Sequence, residues 1–146
     1  MKFPLVRRTA LEDTELRLRE LTQEYQNFRR RNADTQTNAY HSGRAAAAQT
    51  FLPVYDNLLR ALEQPCQDEA YVTGIRMTLR SLTKALSDMG ITEIPALGLS
   101  FDPTVHEAMD HIEDPELGEN IVASVVLTGF RQGGSVLRHA LVIVAN

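Results

Sequence analysis

Between positions 11 and 28 apolar residues recur at Leu11, Leu18, Leu21, Tyr25 and Phe28, spaced by seven or by alternating three and four within a charged stretch. That spacing is a narrow a/d seam along one side of a helix, which has to be covered by a second helix. No other stretch repeats it at this length, so a second copy of the chain is the expected partner, parallel or antiparallel. Beyond Phe28 the same register places Asn32, Thr35, Ala39, Ser42, Ala46 and Gln49 on the seam. These side chains are small or polar, and Gly43 costs a helix interior about 1 kcal/mol relative to Ala. The pattern predicts one long helix over residues 9–51 whose second half is the weaker, and which as a whole should melt before the rest of the protein.

Pro53 is expected to interrupt that helix or to start a new one over 53–64, as Pro suits a first helical turn. Leu52, Tyr55, Leu58, Leu59 and Leu62 share one face of this segment, with Asp56, Arg60 and Glu63 on the opposite stripe. After a loop at 64–67, Asp68 can cap a further helix over 69–89. Its apolar positions Val72, Ile75, Leu79, Leu82, Leu86 and Met89 alternate by three and four. Gly90 should end it, with Ile91 folding back on the last turn. Two such helix pairs, one from each chain, would complete a four-helix bundle.

At Gly90 the period changes from helical to alternating, which divides the chain into a helical dimerisation domain, 1–90, and a β-domain, 91–146. Strands are expected over 106–113, 121–127, 136–138 and 140–144, with turns at 114–118 and 132–135. The predicted class is α+β: a long coiled-coil-like helix, short helices in a dimeric four-helix bundle, and a small, mostly antiparallel C-terminal sheet.

Composition narrows the function classes. Of 146 residues 43% are apolar and the net charge is −4, without the basic excess of a general nucleic-acid binder. The single cysteine, Cys66, cannot form an internal disulfide, so nothing implies secretion. Residues 1–8 lack a signal-peptide core, and no run reaches the roughly 20 apolar residues of a membrane span. A cytoplasmic location, without membrane or nucleic-acid partners, is expected.

Candidate chemistry is sparse. His106, Glu107 and His111 suggest a metal site, yet the histidines are five apart rather than the four of HExxH, and on a strand they face opposite sides. The glycine-rich 129–134 lacks the lysine of a P-loop and reads as a hairpin turn. Catalysis, cofactor and small-molecule binding have no positive support. Arg29, Arg30 and Arg31 form the densest basic patch, explicable as a solvated face with interchain ion pairs. Arg60, four after Asp56 and three before Glu63, is explicable by intrahelical pairs.

Four ordered motifs add to this reading. The segment Phe101-Asp102-Pro103-Thr104-Val105-His106-Glu107-Ala108-Met109 closely resembles the signature of the GrpE family, nucleotide exchange factors of Hsp70 chaperones. Tyr25 to Arg31 resembles its Asn-Phe-Arg-Arg-Arg run, and Leu52 to Glu63 its LPVxDNLxRALE segment. Gly129-Phe130 with Val136 to Val142 resembles its closing element.

The resemblance covers the chain from about residue 15 onward. It implies a parallel homodimer that engages an Hsp70 ATPase domain, opens its nucleotide cleft and accelerates ADP release. It further implies partner contacts by Arg29, by the polar pair Arg60 and Glu63, and by Val126 and Val144 of the β-domain. Leu18, Leu21, Tyr25, Phe28, Leu79, Leu82 and Leu86 would serve structure and dimerisation. Gly74 matches a bundle glycine, for which close packing is the physical reason.

Asn38 departs from the family's usual lysine, and His139 from its usual proline. The seam from Asn32 to Gln49 is poorer in apolar residues than is common. The tail ahead of the long helix is expected to be short, reducing any role in displacing peptide. The competing expectation is a dimeric coiled-coil adaptor or scaffold without exchange activity.

Overall fold

The computed structural model describes residues 4–146, with side chains from Ala10 onward; Met1, Lys2 and Phe3, read above for a signal peptide, lie outside the described residues. Two helices, α1 (Pro4–Glu63) and α2 (Glu69–Asp88), precede six strands, β1 (Ile91–Ile94), β2 (His106–Ile112), β3 (Ile121–Leu127), β4 (Gly129–Gln132), β5 (Ser135–Arg138) and β6 (Ala140–Ala145). Two compact units result, Met1–Ser42 and Gly43–Asn146. The first is helical throughout its described length. Every described seam residue in it is exposed, from Leu11 to Phe28.

The expected break at Pro53 does not occur: α1 passes through it. An interior proline removes the N–H that Gln49 O would accept, a cost of about 3 kcal/mol. Gln49 and Pro53 both lie on the exposed side of the helix, where water can serve that carbonyl. Ala48, Leu52 and Tyr55 are buried along the other side and Leu59 packs with them. This stripe runs on both sides of Pro53 and holds the axis in helical register.

α2 begins as its sequence requires. The Asp68 carboxylate accepts from the Ala70 and Tyr71 amides at 3.0 and 3.1 Å, satisfying two donors of the open first turn. At the other end Gly90 adopts φ +75°, a conformation that a Cβ penalises. Its N–H donates to Ser87 O at 2.8 Å, and Ile91 turns back into the core beside Leu86.

The unit Gly43–Asn146 has two cores. The first joins Ala48, Leu52 and Tyr55 of α1, Leu86 of α2, Ile91 of β1 and Phe130 of β4. The second joins Ala96, Val122 of β3, and Ala140, Val142 and Val144 of β6, with Phe101 packed against them. Each core has its own three-stranded sheet, in the orders β1-β4-β5 and β2-β6-β3. β2 runs parallel to β6 and the remaining pairings are antiparallel.

β1 and β4 were not among the expected strands. β1 lies between the turn signals Gly90 and Pro95, and β4 opens with a glycine that reads as a turn. That glycine has a packing reason: a Cβ on Gly129 would stand 2.5 Å from Ala140 N. Only a bare backbone lets β4 pass so close to the start of β6.

Candidate functional site

Two elements of the second unit meet at its surface. Asp56, Leu59, Arg60 and Glu63 of α1 form one wall of a cleft of about 150 Å³, and Val125, Val126, Leu127 and Thr128 at the end of β3 form the other. Arg60, Glu63, Val125 and Val126 are exposed. A cation, an anion and a small apolar patch thus share one opening.

The intrahelical pairing expected of Arg60 is not formed, because Asp56 is engaged elsewhere. Its carboxylate takes a bidentate pair from Arg138, Nη1 to Oδ2 and Nη2 to Oδ1, both at 2.7 Å. Among the described residues the ion pairs are this one and Lys84–Asp88. Arg60 and Glu63 therefore keep their charges available to another molecule.

Arg138 also donates to Thr128 O, through Nε at 3.1 Å and Nη2 at 2.7 Å, and lies 5.5 Å from the Phe130 ring centroid. Phe130 in turn meets Tyr55 edge-on, with centroids 5.0 Å apart. Tyr55 Oη donates to Glu93 Oε1 at 2.7 Å. Burial raises the pKa of this hydroxyl well above its ordinary value, and the bond to Glu93 acts in the same direction. Gln49 Nε2 donates to Leu137 O at 2.9 Å. Polar contacts from α1 therefore reach β1, β5 and the β3–β4 junction.

The signature around His106 is a closed turn. Asp102 Oδ1 accepts from the Thr104 amide at 2.9 Å and from its hydroxyl at 2.7 Å. These bonds, the hydroxyl's foremost, hold the Asp102 carboxyl below its usual pKa. His106 is buried, its Nδ1 accepting from Asp102 N at 3.2 Å and its Nε2 lying 3.3 Å from Pro95 O. An N–H facing Nδ1 requires that atom to be the acceptor, so Nε2 carries the hydrogen and donates to Pro95. Both ring nitrogens are thus occupied in holding the loop that enters β2. His111 is exposed, and no group of three or more metal-ligating side chains gathers among the described residues.

The remaining predicted residues divide by environment. Arg29 is exposed in the first unit, as are Leu18, Leu21, Tyr25 and Phe28. Leu86 is 1% exposed in the first core, with Leu79 and Leu82 packed against it; Leu86 is spent within its own chain rather than at a dimer interface. Val144 is a correction: at 5% exposure in the second core it has no surface to offer a partner, because β6 is the central strand of its sheet. At Gly74 a Cβ meets nothing within 4 Å, so packing inside the chain does not demand a glycine.

Sequence reasoning missed Arg138 as a site residue. Its carboxylate partner lies 82 positions away, a separation at which no local spacing signals a pair. The odd feature available beforehand was an arginine inside an apolar strand run.

A family model described as GrpE matches residues 7–146. Among named relatives, Protein GrpE of Clostridium beijerinckii is 38% identical over 133 residues, covering 91% of this chain and 64% of that protein. Protein GrpE of Clostridium acetobutylicum is 40% identical over 130 residues, covering 89% of this chain and 64% of that protein. Protein GrpE of Aeromonas hydrophila is 33% identical over 141 residues, covering 94% and 73% respectively. The chain thus spans 64% of the length of each clostridial relative.

Proposed function

The chain belongs to the GrpE family, and on that premise we propose that it is a co-chaperone that binds the ATPase domain of an Hsp70, holds its nucleotide cleft open and speeds ADP release. The observation that carries this reading is the two-walled cleft, where the unpaired Arg60 and Glu63 stand beside the exposed Val125 and Val126. A mixed polar and apolar surface of that kind suits a protein partner: the charges orient the encounter, and the valines lose water on contact.

The mechanism needs no bond chemistry in this chain. A binder that prefers the open nucleotide cleft stabilises that state by the difference between its affinities for the open and closed forms. Linkage then requires it to weaken nucleotide binding by the same factor. ADP leaves, and ATP, which favours closure, expels the factor. Arg29 contributes an encounter charge, while Arg60, Glu63 and Val126 supply the contacts.

Dimerisation is part of the proposal. The exposed seam Leu18, Leu21, Tyr25 and Phe28 pairs with the same seam of a second copy, and α2 pairs within a four-helix bundle in which the bare Cα of Gly74 admits a helix of the other chain. Residues 1–90 then serve dimerisation and 91–146 partner contact, with α1 contributing to both.

The test is to load an Hsp70 ATPase domain with fluorescent ADP and time its release with and without this protein. Acceleration that is weakened by Arg60→Ala and by Val126→Asp, with helicity and dimer mass unchanged, is expected. An intact dimer that leaves ADP release unchanged across a panel of bacterial Hsp70s would instead identify a coiled-coil adaptor.

A further inference from the structure

The geometry points to Arg138 as the positioning residue that sets the two walls of the partner-binding cleft against each other. This rests on the exchange-factor reading above, and it concerns a residue that does not itself face the partner. The Arg138 and Asp56 side chains are 20% and 15% exposed, so they offer little surface for docking.

What they offer is a connection. Asp56 stands one helical turn before Arg60, in the α1 wall. Thr128 closes the β wall that presents Val125 and Val126. One guanidinium holds both: its outer edge takes the Asp56 carboxylate in two 2.7 Å bonds, and its inner edge takes Thr128 O through Nε and Nη2. A planar fork can satisfy a carboxylate and a carbonyl together, whereas an ammonium acts as a single point. Of the other polar contacts from α1, Gln49 goes to Leu137 of β5, and Tyr55 bonds Glu93 of β1 with the Thr128 hydroxyl also beside it. Arg138 is the contact that ties α1 to the backbone at the end of the β3 wall.

The functional consequence follows from linkage. An exchange factor works by discriminating between open and closed nucleotide clefts, and that discrimination depends on a fixed spacing between its contacts. If the two walls move independently, each can still touch the partner, but the pair fits closed and open states more equally. Affinity is then largely kept while the maximal acceleration falls.

The experiment compares the full chain with Arg138→Lys and with Asp56→Asn, recording ADP release across a range of factor concentrations. Amide hydrogen exchange over residues 124–129 and a thermal melt are measured alongside. The clamp requires the maximal acceleration to fall about tenfold while the half-saturating concentration changes less than about threefold. Exchange over 124–129 should rise, with the amides of Leu86 and Ile91 unaffected. Arg60→Ala should show the opposite split, raising the half-saturating concentration first. Should Arg138→Lys lose its fold, Asp56→Asn carries the same comparison. Unchanged maximal acceleration in a folded variant, or equal loss in both parameters, overturns the assignment. If the unaltered protein fails to speed release, the exchange reading falls alone. The amide exchange then decides the clamp, and unaltered protection over 124–129 would reject it.

Discussion

Leu18, Leu21 and Phe28 in the first unit are each at least 60% exposed, whereas Leu86, Ile91 and Phe130 in the second are 1% exposed. The residue types are alike; their circumstances are opposite. Gly43–Asn146 folds its chain back several times, so its core side chains find partners from other elements. Met1–Ser42 runs in one direction, and a single helix cannot cover its own stripe. The second unit has cores within one chain, and the described part of the first has none.

That contrast can be broken most forcefully in the core. Phe130→Ala removes the ring that meets Tyr55 and underlies Arg138, and should cost the second unit about 3–5 kcal/mol, read from urea unfolding. Helicity of the first unit should survive at concentrations that maintain the dimer. Next in size is Leu21→Ala. If a second copy covers the seam, the loss per chain should approach about 2 kcal/mol or more, with dissociation on sedimentation. If nothing covers it, the change stays within about 0.5 kcal/mol, as for most surface sites. Calorimetry sharpens the same point, since the first unit should melt earlier than the second and at a temperature that rises with protein concentration. A single concentration-independent transition would contradict the division.

Smaller effects test how far the second unit relies on local signals. Asp68→Ala leaves the first turn of α2 without its side-chain acceptor and should cost about 1 kcal/mol, measurable by chemical denaturation. Tyr55→Phe should cost about 1 kcal/mol near neutral pH, the net worth of one hydrogen bond. Its pH dependence gives a sign. The folded hydroxyl has a raised pKa, so its contribution is complete below the ordinary tyrosine value of about 10. Above that value the unfolded chain ionises first, and the contribution declines as pH rises towards the folded pKa. Denaturation midpoints followed from pH 8 to 11 should fall more steeply for the unaltered protein than for Tyr55→Phe.

Much of the architecture was legible because its causes are local. The seam of Leu11 to Phe28, the three-four alternation along α2, the Asp68 cap, the Gly90 stop and the Gly133-Gly134 turn each depend on residues within a few positions of one another. The boundaries of β3 were read correctly for the same reason, from a β-branched run between turn signals. Where local and distant effects competed, the sequence misled. Pro53 signals an end to any helix, yet burial of Ala48, Leu52, Tyr55 and Leu59 on one stripe carries α1 past it. β1 and β4 lie among turn-forming residues that masked them, and strand pairing defined them.

The candidate site shows the same division. Arg60, Glu63 and Val126 could be named from motifs and do share one cleft, whereas Val144, named on the same grounds, is interior. What the amino-acid order determined by itself was the apolar stripe of the first unit, the cap, stripe and stop of α2 and the run of β3, because periodicity and capping act over a turn or two. Tertiary structure alone decided that Asp56 belongs to Arg138 and leaves Arg60 unpaired, and that Gly129 must be bare. Those outcomes depend on which backbones approach one another across long separations, and no spacing along the chain encodes that.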